Sequence, residues 1–275
     1  MHNQHNQMEN KPQNIGPNIG LVAVKKVINP YAQLKIKSDS SGIDTQNMPF
    51  VMNPFDEVAI ETAARLKEQG NLESIIAVSI GDDCKDILMQ ALARGADKAI
   101  FIKTEESITP LNIAKILKYI VLEHQINMVF LGKQAIDDDC NQTSQMLAGL
   151  LNWPQGCFVS KITFNDNTSD KYFTITAERE IDSGIEALDI SLPAVISVDL
   201  QPTDTKYISL PQLLQAKKKP IDIILLEHLT KNIPNINLDN IKILKTSLPP
   251  QRPTGIKISS TNELITRLKT KDKVI

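Results

Sequence analysis

The stretch Met128–Pro154 runs MVFLGKQAIDDDCNQTSQMLAGLLNWP. The apolar run Ile126 to Leu131 closes at Gly132 and has the length and composition of a buried parallel strand. A polar, acidic loop, Lys133 to Cys140, follows it. Met146, Leu147, Leu150 and Leu151 then recur at helical spacing, and Pro154 marks the end of that helix. Strand, polar loop and helix start, in that order, are how an open α/β sheet builds a ligand crevice at the carboxyl ends of its strands. The backbone N–H groups of Asn141, Gln142 and Thr143 would face that crevice without intrahelical partners, which favours an anionic ligand, a nucleotide above all.

Working outward, the same alternation recurs. Gly20–Val27 reads as a first strand, with Leu34–Ser38 and Phe50–Met52 as a small hairpin around the turn signal Asp39–Gly42. Asn53-Pro54-Phe55-Asp56 is a helix start: Asn53 caps, Pro54 takes the first helical position, and Asp56 favours the positive helix end. That helix runs to Gln69 and stops at Gly70. Ser74–Ile80, a helix capped by Asp82 or Asp83 and ending at Arg94, Lys98–Lys103, and a helix over Pro110–His124 complete the approach to Ile126. Four alternations predict a Rossmann-like open sheet, mostly parallel, with helices on both faces.

Beyond Pro154 the pattern changes. Tyr172–Ile181 and Ile185–Ile190 flank Asp182-Ser183-Gly184 as a hairpin, and Pro193–Leu200 reads as a strand returning to the main sheet. Prolines 234, 249, 250 and 253 break up short segments such as Ile241–Leu244, so residues 234–275 read as an extended C-terminal arm lying on a partner. The expected organisation is an N-terminal extension over 1–20, an α/β domain over 21–233, and the arm.

Composition excludes several classes. A net charge of −2 across 275 residues argues for neither nucleic acid nor a membrane surface, and 4% aromatics are too sparse for base stacking. No apolar run reaches the roughly 18 residues of a membrane helix. Three cysteines, Cys84, Cys140 and Cys157, form no C-x-x-C pair and suit a reducing compartment. Residues 1–20 are rich in Asn and Gln, contain no Arg, and lack a signal core; they read as a solvated tail that includes His2, His5 and an alternative start at Met8. The expected compartment is the cytoplasm.

Dinucleotide-binding and Walker-type glycine motifs are missing, and no nucleophilic triad is evident. His124 and His228 lack Cys or carboxylates at ligand spacing, so no metal site is expected from them. Asp137-Asp138-Asp139 stays open between three uses. It is a nucleotide loop whose carboxylates serve a helix cap and ribose hydroxyls while Lys133 offsets their charge, or a solvated cap, or a magnesium site.

Lys133-Gln-Ala-Ile-Asp-Asp-Asp-Cys-Asn-Gln-Thr143, followed by Trp153-Pro-Gln-Gly156, closely resembles the β subunit of electron-transfer flavoprotein. Val22-Ala-Val-Lys25, Asn53-Pro-Phe-Asp-Glu57, Glu178-Arg-Glu-Ile-Asp182, Leu210-Pro211 with Ala216–Lys219, and Pro249-Pro-Gln-Arg252 resemble the same family, over roughly Leu21 to Leu268. The resemblance implies an adenine nucleotide α-hydrolase-like sheet and a heterodimer with an α subunit that holds most of one FAD, with AMP buried in the β subunit. Carried over by position, the AMP site comprises Ala23, Asn53, Pro54, Phe55, Asp56, Ile80, and Gly132 to Thr143, the last run including Gln134, Ala135, Asp137, Asp138, Asp139, Cys140, Asn141 and Gln142. Tyr31 and Phe55 resemble the aromatics placed near the flavin, although Pro30 stands as an insertion before Tyr31.

The resemblance further implies that Leu210, beside Pro211, anchors acyl-CoA dehydrogenases, and that electrons pass on through a quinone oxidoreductase. Lys217, Lys218 and Lys219 would steer an acidic partner, and Glu180 would pair with the flavin-bearing domain of the α subunit. From the residues alone, Leu210 packs inward as a staple beside the capping pair Ser209 and Gln212. No bond-making chemistry of the chain's own is expected. The alternatives are a bifurcating form with a second FAD in place of AMP that oxidises NADH, and a stand-alone adenine-nucleotide sensor.

Overall fold

The computed structural model describes residues 18–165, 173–200, 206–234, 236, 243–252 and 254–275. The tail histidines His2 and His5, Met8, Tyr172, Ile241, Lys242 and Pro253 lie outside these. The elements are β1 (Ile19–Ala23), β2 (Lys26–Ile28), β3 (Phe50–Met52), α1 (Pro54–Glu68), β4 (Ser74–Gly81), α2 (Lys85–Arg94), β5 (Lys98–Lys103), α3 (Pro110–Glu123) and β6 (Met128–Gly132). They continue with α4 (Thr143–Leu151), β7 (Gln155–Asn165), β8 (Thr174–Ile181), β9 (Gly184–Ser191), β10 (Ala194–Val198), α5 (Leu210–Ala216), β11 (Ile221–Leu225), α6 (Leu226–Thr230) and α7 (Thr261–Arg267).

Nine strands form one sheet in the order β11-β5-β4-β1-β6-β10-β7-β8-β9. All pairings from β11 to β7 are parallel; only β7–β8 and β8–β9 are antiparallel. The predicted mostly parallel sheet is therefore present. Successive residues of the central strands alternate between two cores. In β6, Met128 and Phe130 join the core under α1 and α2, while Val129 and Leu131 join the core under α3 and α4. That two-sided burial is why these strands read as unbroken apolar runs rather than alternating ones. Among the described residues no helix is long and apolar enough to cross a membrane.

Several expectations need correction. Gly20–Val27 is not one strand: the chain leaves the sheet after Ala23, and β2 pairs antiparallel with β3 in a separate two-stranded sheet. Phe50–Met52 therefore does not pair with Leu34–Ser38. The turn at Asp39–Gly42 instead closes its own hairpin through an Ile36–Ile43 bridge. The helix after β4 begins with Cys84 at its cap position, not with an aspartate. Strand β7, the edge strand β11 and helix α6 had no counterpart in the sequence reading. The hairpin at Asp182–Gly184 forms as expected, with Gly184 at φ +136°. Strand β9 ends the sheet, and Ile181 and Ile185 stand exposed at the hairpin tip.

The chain divides into two compact units. The larger holds residues up to Gln33 and Gln46–Lys242; the smaller combines Leu34–Thr45 with Ile243–Ile275. Within the smaller unit, the Thr246 N–H donates to Ser40 O at 2.8 Å. The proline-rich segment also carries helix α7, where Ser260 accepts the Glu263 N–H and Glu263 in turn accepts from Ser259.

Candidate functional site

The strand order reverses at β1. The chain runs from β1 to β4 and β5 on one side, then crosses to β6 on the other. Two strands that part in this way leave a crevice at their carboxyl ends, where α/β sheets bind ligands. Here the crevice lies beyond Ala23 and Gly132, with the starts of α1 and α4 beside it. The first turn of α4 offers N–H groups without intrahelical acceptors, the first intrahelical bond being Met146 N–H to Gln142 O at 3.0 Å.

Asp56 fastens this crevice from below. It is 6% exposed, and its two carboxylate oxygens accept the Lys25 N–H at 2.8 Å and the Gly132 N–H at 3.0 Å. One side chain therefore ties the ends of the two diverging strands. Burial pushes its pKa up to about 7, against the N–H bonds that favour the charged form. Gly132 has no room for a side chain: a Cβ there would stand 2.4 Å from Asp56 Oδ1 and 2.6 Å from Phe55 Cβ. Asn53 does not cap α1 with its side chain, as expected from sequence, because that amide is used elsewhere. It donates to Gln134 O at 2.9 Å and accepts the Ile136 N–H at 3.2 Å, pinning the loop after β6.

The three aspartates are resolved by a residue that the sequence reading did not single out for them. Lys25, not Lys133, meets two of them: its Nζ lies 2.8 Å from Asp137 and 2.9 Å from Asp138. Lys133 instead pairs with Asp199 at 2.9 Å, with its ammonium over the rings of Phe55 and Phe158. Burial disfavours the Lys25 charge, but the bonds to Asp137 and Asp138 outweigh it and hold its pKa above the ordinary value. Asp138 is likewise desolvated, yet the Lys25 bond and the Cys140 N–H keep it below the usual carboxylate range. Asp139 accepts from the Gln134 amide at 3.0 Å. Both Asp139 and Asn141 take left-handed backbone, at φ +49° and +48°, which turns the chain into α4. Among the described residues no cluster of His, Cys, Asp and Glu is arranged to hold a metal ion.

The crevice residues Ala23, Asn53 to Asp56, Ile80 and Gly132 to Thr143 thus gather around the ends of β1, β4 and β6 and the starts of α1 and α4. Phe55 is 7% exposed and packs beside Gly132, whereas Tyr31 is 95% exposed.

A second surface forms at α5. Gln212 accepts the Ser209 N–H and hydroxyl, both at 2.8 Å, so the capping pair is formed. Leu210 does not pack inward: it is 69% exposed, with Tyr207 and Leu214 exposed beside it, and Ala216 supplies the buried contact. The segment is held at both ends. The Lys206 N–H donates to Glu61 at 2.8 Å and its carbonyl accepts from Arg94 at 3.0 Å, while Arg94 and Glu61 pair at 2.5 Å. At the far end Lys219 donates to Leu92 O at 2.9 Å and Ala96 O at 2.6 Å, at the carboxyl end of α2. Of the three lysines, Lys217 and Lys218 stay exposed and Lys219 turns inward. Glu180 is exposed on β8, and Glu178, two residues earlier, pairs with Lys161.

Comparison with known proteins agrees with this architecture. The electron transfer flavoprotein domain family matches residues 41–227. The chain is 44% identical over 256 residues to the mitochondrial electron transfer flavoprotein subunit beta of Arabidopsis thaliana, covering 93% of this chain and 99% of that one. It is 42% identical over 254 residues to the subunit beta of Mus musculus, covering 90% and 96%. To the mitochondrial subunit beta of Oryza sativa subsp. indica it is 41% identical over 260 residues, covering 93% and 99%. The cytoplasmic expectation does not stand, because the plant relatives are named mitochondrial. The polar, Arg-free composition of residues 1–20 describes that segment and not the compartment. At such identities, sustained over most of its length, the chain belongs to the electron transfer flavoprotein β-subunit family, whose role is electron transfer.

Proposed function

We propose that the chain is the β half of a heterodimeric electron carrier, binding AMP at the switch-point crevice and helping an α subunit hold FAD. The observation that carries this reading is the crevice itself. The unpartnered N–H groups of the α4 start lie next to a loop whose carboxylates each have a partner inside the chain, so an adenylate phosphate would meet donors while Lys25 offsets part of the loop's negative charge. Asn141, Gln142 and Thr143 would take the phosphate through their backbone; the carried-over positions Ala23, Ile80 and Ala135 would line the base. FAD, when bound, supplies the one-electron chemistry, and this chain supplies a wall and a docking face for it.

Leu210 at the head of α5 would insert into a pocket on an acyl-CoA dehydrogenase, with Lys217 and Lys218 steering an acidic surface. One apolar side chain so buried is worth about 1.5–3 kcal/mol, enough to localise a short-lived complex and still release it for transfer onward to a quinone oxidoreductase. Glu180 would meet the flavin-bearing domain. The smaller unit with its proline-rich segment would lie on the α subunit. Chromatography of nucleotides released from the purified heterodimer tests the reading. AMP with one FAD is expected; two FAD and no AMP would establish the bifurcating chemistry instead.

A further inference from the structure

We propose that Lys25 is the positioning and charge-balancing residue of the crevice, an assignment that rests on the nucleotide reading above. Its backbone and its side chain are engaged in different directions. The Lys25 N–H is held by Asp56 Oδ2 at 2.8 Å, and the other oxygen of that carboxylate holds Gly132 N–H at 3.0 Å. The ammonium meets Asp137 Oδ1 at 2.8 Å and Asp138 Oδ2 at 2.9 Å. Asp138 Oδ1 in turn accepts the Cys140 N–H at 3.0 Å, three residues before the first residue of α4. One lysine therefore joins the end of β1, the end of β6 and the entrance of α4, across 112 residues of sequence.

The electrostatic consequence is specific. Without the ammonium, two carboxylates would face a phosphate dianion at the mouth of α4, and the helix start would lose its preference for anions. With it, one of the two charges is cancelled and both carboxylates are turned toward Lys25. An ammonium has three donors, and two are spent on Asp137 and Asp138. Direct ligation of phosphate by the third is the rival account, and it predicts a different response to removing a carboxylate. Asp138 is the informative partner because its Oδ2 meets the Lys25 ammonium and its Oδ1 accepts the Cys140 N–H, and an asparagine there removes the charge while keeping the shape and an acceptor oxygen.

The test is AMP binding to the purified heterodimer, stripped of nucleotide and titrated calorimetrically. Wild type binds one AMP. K25M binds it roughly tenfold or more weakly, the scale of one lost charge interaction near a surface, and K25M/D138N recovers to within about threefold of wild type. If K25M/D138N stays as weak as K25M, or if K25M matches wild type, the proposal is overturned while the nucleotide reading survives. A wild-type heterodimer that neither releases nor binds AMP overturns that reading and the proposal with it. Should K25M fail to assemble, D138N alone decides. Lys25 is then under-balanced, so AMP binds about threefold more tightly; unchanged or weaker binding overturns the proposal.

Discussion

The crevice and the α5 surface are built by opposite means. At the crevice the polar side chains have partners inside the chain and leave the N–H groups of the α4 start free: Asp56 holds two strand ends, Asn53 holds the loop, and Lys25 holds two carboxylates. At α5 the ends are fastened and the apolar side chains Tyr207, Leu210 and Leu214 are left in the open. The first arrangement fixes a geometry before a ligand arrives, which lowers the ordering cost of binding. The second leaves apolar side chains in water on a fixed base, which is what the docking proposed above requires. Damage to the crevice should therefore appear as lost stability, and damage at the tip of α5 as lost transfer with stability intact.

The hardest break is Gly132→Ala. Its Cβ would overlap Asp56 Oδ1 at 2.4 Å, Phe55 Cβ at 2.6 Å and the Phe55 carbonyl carbon at 2.8 Å. Overpacking of this kind costs about 3 kcal/mol, so thermal unfolding of the heterodimer should shift down by several degrees. At the base of α5, Arg94→Met leaves Glu57 and Glu61 without their cation and releases the Lys206 carbonyl. A loss of about 2 kcal/mol is expected, with faster amide exchange in residues 206–216 than in the crevice; equal protection in both would break the comparison.

Asp56→Asn sharpens it. One of two main-chain N–H groups then faces an amide N–H, at a cost of about 1–3 kcal/mol. The wild-type pH response has a definite sign. The folded-state pKa of Asp56, about 7, lies above the ordinary aspartate value of 3.8, so the native state binds the extra proton between them. Its contribution is full below pH ~4 and is lost as pH rises through ~7; in the Asn variant that downward slope should be absent from the stability profile. The smallest effect on stability belongs to Leu210→Ala, within about 0.5 kcal/mol for an exposed site, while on the docking proposed above electron transfer from an acyl-CoA dehydrogenase should slow. Early melting of this variant would show that Leu210 is packed after all.

Much of the sheet was legible because its strands are buried on both faces. Lys98–Lys103 was bounded correctly, and the Ser74 and Met128 strands within a residue or two, from apolar runs alone. Strand β7 was not, since QGCFVSKITFN mixes polarity along a strand whose later residues are only partly covered. Edge strand β11 and the single-turn helix α6 were too short to show a period. The loop sequence leaves the use of its aspartates open, and the lysine that meets Asp137 sits 112 residues away, a distance that no local pattern encodes. Likewise a lysine run reads as one basic patch, and only the packing of α2 separates Lys219 from Lys217 and Lys218.

Among the described residues the sheet stops at β9 with one side of its ladder unmatched, and Ile181 and Ile185 crown the bend beside it. Bare ladders of this sort invite pairing with whatever chain arrives first. At high concentration the polypeptide therefore presents a rim on which copies of itself can stack edge to edge.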